Sequence, residues 1–206
     1  VESTITVQVT DNNTVSVDNK PRFDGQKLMG FYQWSDRLYA LILYDTNVAK
    51  KNVLLWDSYD GLNWQKTDTY SKAPVFLSSD NNSSSGSGVN VPLEFAGSPG
   101  IVYNDKLYLI GGSRFDSNFR SNDVYFLDFG NMQAGWQKDV SAGFSPRMGH
   151  ACVIYNNEIW VIAGYDDQGA NKDVWKFDGV KWLCISNIAG SKALPSNRCM
   201  LSALVF

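Results

Sequence analysis

One segment of the chain recurs along its length, and that recurrence narrows the fold more than any other feature. Tyr103-Asn104-Asp105-Lys106-Leu107-Tyr108-Leu109-Ile110-Gly111-Gly112 matches Tyr155-Asn156-Asn157-Glu158-Ile159-Trp160-Val161-Ile162-Ala163-Gly164, carrying Leu107 onto Ile159, 52 residues on. Further along, Asn122-Asp123-Val124-Tyr125-Phe126-Leu127-Asp128 matches Lys172-Asp173-Val174-Trp175-Lys176-Phe177-Asp178, with Val174 50 residues after Val124, and Trp136 then aligns with Trp182. A fainter copy precedes both: Trp34 to Ile42, Asn52 to Asp57, then Trp64. A fixed interval of this size marks a repeat architecture, in which each unit buries its apolar face only against its neighbours.

Every copy has the same grammar. An apolar strand ends in an aromatic, a turn of Asn, Asp or Ser comes next, a second apolar strand ends in small residues, and a polar loop leads to two shorter strands. Short apolar runs punctuated by turn residues indicate all-β structure, and no segment sustains helical periodicity. Four antiparallel strands per copy, stacked radially so that both faces of each sheet are covered, make a β-propeller.

The residues carrying this grammar resemble kelch repeats. Ser145-Pro146-Arg147-Met148-Gly149-His150 precedes the first strand of one copy, Gly111-Gly112 closes the second strand of another, and Trp136 or Trp182 lies in the fourth. The likeness is good over about 95–206 and looser over 28–70, as in bacterial kelch-like proteins and the central domain of galactose-oxidase-like enzymes. It departs where Ala163 replaces the first glycine of a pair and where Tyr44-Asp45 stands in the first copy. Trp56-Asp57-Ser58-Tyr59-Asp60-Gly61-Leu62-Asn63-Trp64 is similar to the Ser-x-Asp-Gly-x-x-Trp hairpin of such propellers and to the Asp-box of sialidase-type ones. The resemblance implies only a folding role there, an Asp binding turn amides.

The implied organisation is one all-β domain over 1–206: a β-hairpin in 1–20, blades in 28–70, 95–140 and 145–188, and the first strand of a further blade in 196–206, where Arg198 falls 51 residues after Arg147. Three complete blades with partial strands at both ends predict an incomplete ring, its missing blades supplied by further sequence or by a second copy. A compact four-bladed ring, closed by strands from both termini, is the alternative. The start at Val1 rather than Met leads to the expectation that an initiator or signal peptide has been removed. Ser78 to Gly88 reads as a mobile Ser-rich insertion.

Composition closes off several functions. Hydrophobic residues make up 44% of the chain, enough to fold. A net charge of -3 without a basic stripe argues against a nucleic-acid partner. No apolar run is long enough for a membrane span, and secreted and cytoplasmic settings are equally compatible with the sequence. Cys152, Cys184 and Cys199 form no CxxC pair and read as packed apolar side chains. Asn12 and Asn81 head glycosylation acceptor patterns of the kind that Asn-rich loops produce by chance.

His150 is the single histidine, too few for the copper site of a galactose-oxidase-like propeller or for catalytic zinc, so no cofactor or metal is expected and His150 reads as a core residue. The seven tryptophans fall on repeat positions and read as packing. Trp160 aligns with Tyr39 and Tyr108, Trp175 with Leu54 and Tyr125, and Trp56 with Leu127 and Phe177. Asp57, Asp128 and Asp178 align with one another, as do Asp123 and Asp173, and read as turn-stabilising carboxylates. Arg22, Arg147 and Arg198 each precede an inner strand. They read as braces between blades, with a rim of converging arginines of the sialidase kind as the alternative.

The remaining candidates are loops between second and third strands, on the face where propellers usually bind. Ser113 to Ser121 combines Arg114, Phe115, Phe119 and Arg120, and Tyr165 to Asn171 opens with Tyr165 and Asp166. Arg and aromatic side chains are the commonest interface anchors. Arg114, Phe115, Phe119, Arg120, Arg147, Tyr165, Asp166 and Arg198 therefore make up the expected contact set of a non-enzymatic binding propeller with a protein or glycan partner. The alternatives are part of a carbohydrate-active, sialidase-like enzyme, and a structural module completed by self-association.

Overall fold

The computed structural model describes residues 7–9, 14–17, 26–47, 50–67, 99–113, 120–139, 142–190 and 194–205. Arg22, the Ser78 to Gly88 insertion and both glycosylation patterns lie outside the described residues. Two compact units are present, one from the N-terminal half and one spanning most of 92–206.

The first unit holds a six-stranded antiparallel sheet in the order β1-β2-β6-β5-β4-β3. Its strands are β1 (Val7–Val9), β2 (Thr14–Val17), β3 (Gln26–Trp34), β4 (Arg37–Asn47), β5 (Lys50–Ser58) and β6 (Trp64–Lys66). Tyr32, Tyr39, Leu41, Leu55, Trp56 and Trp64 are buried, the central strands being covered on both faces over 39–42 and 55–58. The N-terminal hairpin joins the outer edge of this sheet, Thr14 and Val15 pairing with Gln65 and Trp64. It covers an edge that would otherwise present unpaired amides.

The second unit stacks two four-stranded sheets. One has the order β10-β9-β8-β7, from β7 (Gly100–Tyr103), β8 (Lys106–Ser113), β9 (Arg120–Asp128) and β10 (Gln137–Lys138). The other has the order β11-β12-β15-β16, from β11 (Ala151–Tyr155), β12 (Glu158–Ile162), β15 (Val174–Phe177) and β16 (Trp182–Cys184), with the small β13 (Tyr165–Asp166) and β14 (Gly169–Ala170) hairpin between the second and third strands. The 196–206 segment forms no strand among its described residues; Arg198 makes an isolated bridge to Asn171. Asn104-Asp105 and Asn156-Asn157 both hold positive φ, the two-residue turn geometry that matches strand twist and that Asn and Asp tolerate.

The two sheets share one core. Tyr108, Ile110 and Val124 of one meet Ile159, Val161 and Phe177 of the other, with Ala142 and Phe144 of the connecting segment between them. The rings of Tyr108 and Phe177 meet edge-on at 6.1 Å, and Phe177 stacks on Trp182 at 4.9 Å. Each such side chain contributes about 1.5–3 kcal/mol on burial. Backbone bonds sew the same boundary: Gly112 N donates to Arg147 O at 2.8 Å and Arg147 N to Ser121 O at 3.0 Å. Gly111 is required there, since at φ 57 a Cβ would lie 3.1 Å from the carbonyls of Arg147 and Ser121. Ala163 carries the same φ of 57 in the third copy, so the departure from Gly-Gly changes the residue and keeps the backbone.

Strand register corrects the alignment of the first copy by two residues. Leu38 faces Ser58 as Ile159 faces Phe177 and Leu107 faces Leu127. Trp56 therefore occupies the place of Trp175 and Tyr125, not that of Phe177 and Leu127. The hairpin 59–63 is one residue longer than 178–181.

Candidate functional site

The described ends of the loop between β8 and β9 are fixed by Ser113 pairing with Arg120. Arg114, Phe115 and Phe119 lie between them, outside the described residues. From the start of β9, Arg120 reaches the next sheet: its guanidinium lies 5.0 Å from the centre of the Tyr165 ring and pairs with Asp167. The Asp167 side chain is 81% exposed and Arg120 14%, so the pair has one solvated and one sheltered member. The Arg120 Nε is buried and has no hydrogen-bond partner among the described residues. Tyr165 is 37% exposed, leaving part of the ring open to a ligand.

Behind Tyr165 the site is rigid. Asp166 is buried, accepts from Ser145 Oγ at 2.5 Å, and takes Gln168 N at 2.8 Å, which closes the β13–β14 turn. Burial pushes the Asp166 carboxyl up, but hydrogen bonds from Ser145 and Gln168 N, the nearby Asn171 amide and the Arg147 charge outweigh it and hold the group below the usual range.

Arg147 is enclosed, at 1% exposure, rather than offered to a rim. Its Nη atoms meet Asp173 at 2.5 and 2.9 Å, Nη1 donates to Ala163 O at 2.9 Å, and Nη2 donates to Ser145 Oγ at 2.9 Å. Trp175 Nε1 donates to the same Asp173 carboxylate at 2.8 Å. The arginine thus ties the approach to β11 to the second and third strands of its own sheet. Arg198 is exposed and holds Ser196 through its carbonyl and hydroxyl. Arg120, Tyr165 and Asp166 are brought together, Asp166 is linked to Arg147 through Ser145, and Arg198 stands beside them through Asn171.

His150 is fully enclosed in this region, and neither ring nitrogen makes a hydrogen bond of good geometry, the Ile110 backbone being the nearest candidate. Burial first, then the Arg147 charge, lowers the imidazole to about 3, so it is neutral at any ordinary pH. Burial pushes the Cys152 thiol far up, which leaves it inert. Among the described residues no group of three or more His, Cys, Asp or Glu could hold a metal ion, and no helix is long and apolar enough to cross a membrane.

The carboxylates divide by role. Asp128 and Asp178 accept turn amides, from Gly130 at 2.8 Å and from Val180 and Lys181 at 2.9 Å. In the first sheet this work belongs to Asp60, which takes Leu62 N, Asn63 N and Asn63 Nδ2 at 2.7–2.8 Å; these bonds hold its carboxyl far below the usual range. Asp57 instead pairs with Arg37 and accepts from Thr67 at 2.8 Å. Asp123 and Asp173 are ion-pair partners, of Lys138 and Arg147, rather than turn groups. Asp167 and Ser145 were not legible as site residues: Asp167 has no counterpart in another copy, and Ser145 reads as part of the repeat.

A family model described as the KLHDC2/KLHL20/DRC7 Kelch-repeats domain matches residues 43–206. The chain belongs to the kelch-repeat family. A kelch domain-containing protein of Saccharolobus solfataricus, SSO1033, is 35% identical over 79 residues, which are 38% of this kelch chain and 10% of that protein. The leucine-zipper-like transcriptional regulator 1 homolog of Drosophila melanogaster is 28% identical over 82 residues, 36% of this chain and 8% of that one. The matches thus span about a tenth of these curated relatives. Among solved structures, that of YjhT superposes with a TM-score of 0.51 at 14% identity, over 93% of this chain and 67% of that one, and shows the shared propeller fold. Kelch domains generally mediate protein interactions.

Proposed function

We propose that this kelch chain binds a partner protein through the end of its second unit marked by Arg120 and the β13–β14 hairpin. The carrying observation is the Arg120–Tyr165–Asp167 cluster. A half-exposed aromatic, a sheltered guanidinium stacked on it and an exposed carboxylate stand over Asp166, Ser145, Arg147 and Asp173, which are bonded in series beneath. Preorganised Arg and Tyr lose little entropy on binding and are the commonest energetic anchors of interfaces. Arg114, Phe115 and Phe119, which immediately precede Arg120 in the sequence, are included in the proposed contact set on sequence grounds.

The test is affinity capture with the intact chain, followed by titration of the captured protein against variants. Tyr165→Ala, and Arg114→Ala with Phe119→Ala, should each weaken binding by roughly tenfold or more, in line with a hot-spot loss above 1.4 kcal/mol. A captured protein that binds every variant as tightly as the parent would place the interface elsewhere.

A further inference from the structure

Asp60-Gly61 and Asp178-Gly179 occupy the same place in two copies, the turn into the fourth strand, and they are built differently. An Asp-Gly pair is open to rearrangement because glycine carries no side chain to keep its amide nitrogen away from the neighbouring carboxyl carbon. Around Asp60 the following peptide group is held at both ends. Gly61 N donates to Ser58 Oγ at 3.0 Å, and Gly61 O accepts from Trp64 Nε1 at 3.1 Å. The carboxylate takes Ser58 Oγ, Leu62 N, Asn63 N and Asn63 Nδ2 at 2.7–3.0 Å. The preceding residue is fixed too, the Arg37 guanidinium lying 3.8 Å from the centre of the Tyr59 ring.

The second turn lacks these ties. Phe177 holds the register position of Ser58 and offers no hydroxyl to the Gly179 amide. Trp182 stands where Trp64 does, but in the shorter turn its Nε1 is buried with no hydrogen-bond partner among the described residues. Asp178 takes Val180 N and Lys181 N, both at 2.9 Å and both on Oδ1. Val180 is 79% exposed, so little is packed over the turn.

We propose that Asp178-Gly179 is a site of spontaneous isoaspartate formation in this chain, and that Ser58 and Trp64 protect Asp60-Gly61 from the same reaction. Gly179 N attacks Asp178 Cγ; the amide proton and the carboxyl hydroxyl leave as water, which closes a succinimide ring. Water then opens the ring at the α-carbonyl, so the main chain runs through Cβ and Cγ and is longer by one methylene, with no net gain of atoms. The reaction consumes the neutral carboxyl, and turn amides, those of Asn63 and Lys181 foremost, hold both groups below the usual carboxylate range, which makes it slow at either site. What separates the two is the freedom of the attacking amide. The consequence falls on the boundary between the sheets of the second unit: Asp178 O, which accepts the Tyr103 hydroxyl at 3.4 Å, becomes part of a free carboxylate.

The test ages the intact protein for weeks at physiological temperature and pH and maps isoaspartate by chromatography of proteolytic peptides with electron-transfer fragmentation. Asp24-Gly25, outside the described residues, is resolved as a separate peptide. Isoaspartate should accumulate several times faster at 178 than at 60. Ser58→Ala frees the Gly61 amide and should raise the rate at 60 about fivefold, the equivalent of one neutral hydrogen bond. In concentrated urea the two rates should converge, since the difference belongs to the fold; this arm uses the parent chain and holds even where Ser58→Ala weakens the sheet. No product at 178, a folded-state rate at 60 equal to or above that at 178, or an ordering that persists in urea overturns the proposal, as does a rate at 60 that Ser58→Ala leaves unmoved in a folded variant.

Discussion

Replacing Asp173 with alanine isolates the interaction on which the geometry of the 145–188 sheet depends. Arg147 is 1% exposed, and among the described residues Asp173 supplies the carboxylate that pairs with it, in two bonds of 2.5 and 2.9 Å. Removing one partner of a buried ion pair costs about 3–5 kcal/mol, because the remaining charge is left without compensation. The Asp173 side chain is 27% exposed, so water can enter the vacated site and the lower end of that range applies, about 3 kcal/mol. With a urea m-value of about 2 kcal/mol/M, the midpoint falls by about 1.5 M. Arg147→Met added to Asp173→Ala removes the stranded charge and should restore at least half of the loss, a coupling of about 1.5 kcal/mol or more. Urea unfolding monitored by tryptophan fluorescence gives all the values needed. A midpoint within about 0.3 M of the parent for Asp173→Ala, or a double variant equal to the sum of the singles, would refute the reasoning.

The same region and its neighbours yield other expectations. His150 is neutral when folded, with a value of about 3 against 6.5 unfolded, so the folded state binds fewer protons and stability falls as pH drops below 6.5. The loss is about 2 kcal/mol by pH 5, and His150→Leu should flatten the profile between pH 5 and 7; identical profiles for parent and variant would contradict this. Gly164→Ala should cost about 2 kcal/mol or more, since φ is 112 and the new Cβ would meet His150 Cβ at 2.9 Å, whereas Ala163→Gly should be near neutral, left-handed strain relieved against a buried methyl lost. Thermal melts of the two variants check the asymmetry. Tyr103→Phe removes the hydroxyl that donates to Asn157 O at 2.9 Å across the two sheets and should cost about 1 kcal/mol in the same melts; no change would mean that the bond is not formed in solution.

The strand grammar was legible because it rests on local rules. Asn104-Asp105 and Asn156-Asn157 announce two-residue turns, and apolar runs such as Lys106 to Gly112 announce strands covered on both faces. The role of Arg147 was not legible, because a repeated arginine before an inner strand is consistent with either a rim or a brace, and only the closure of β12 on β15 brings Asp173 to it. The two-residue offset in the first copy has a similar origin. Each sheet places a charged residue at the start of its second strand and solves the diagonal contact differently: Arg37 with Asp57, Lys106 over the Phe126 ring, Glu158 with Lys176. Chemistry that changes from copy to copy hides the register that the backbone keeps. The Arg120–Tyr165 contact joins two copies and has no signature within either.

The central claim is that the two sheets of the second unit nest as consecutive kelch units, sewn by the backbone bonds at Gly112, Arg147 and Ala142. Residue-resolved hydrogen exchange by NMR measures this directly. The account predicts that these amides are protected to the same degree as the interior amides of β8 and β12 and are lost with them in one cooperative opening. Boundary amides that exchange orders of magnitude faster than either sheet would show that the sheets do not pack in this way.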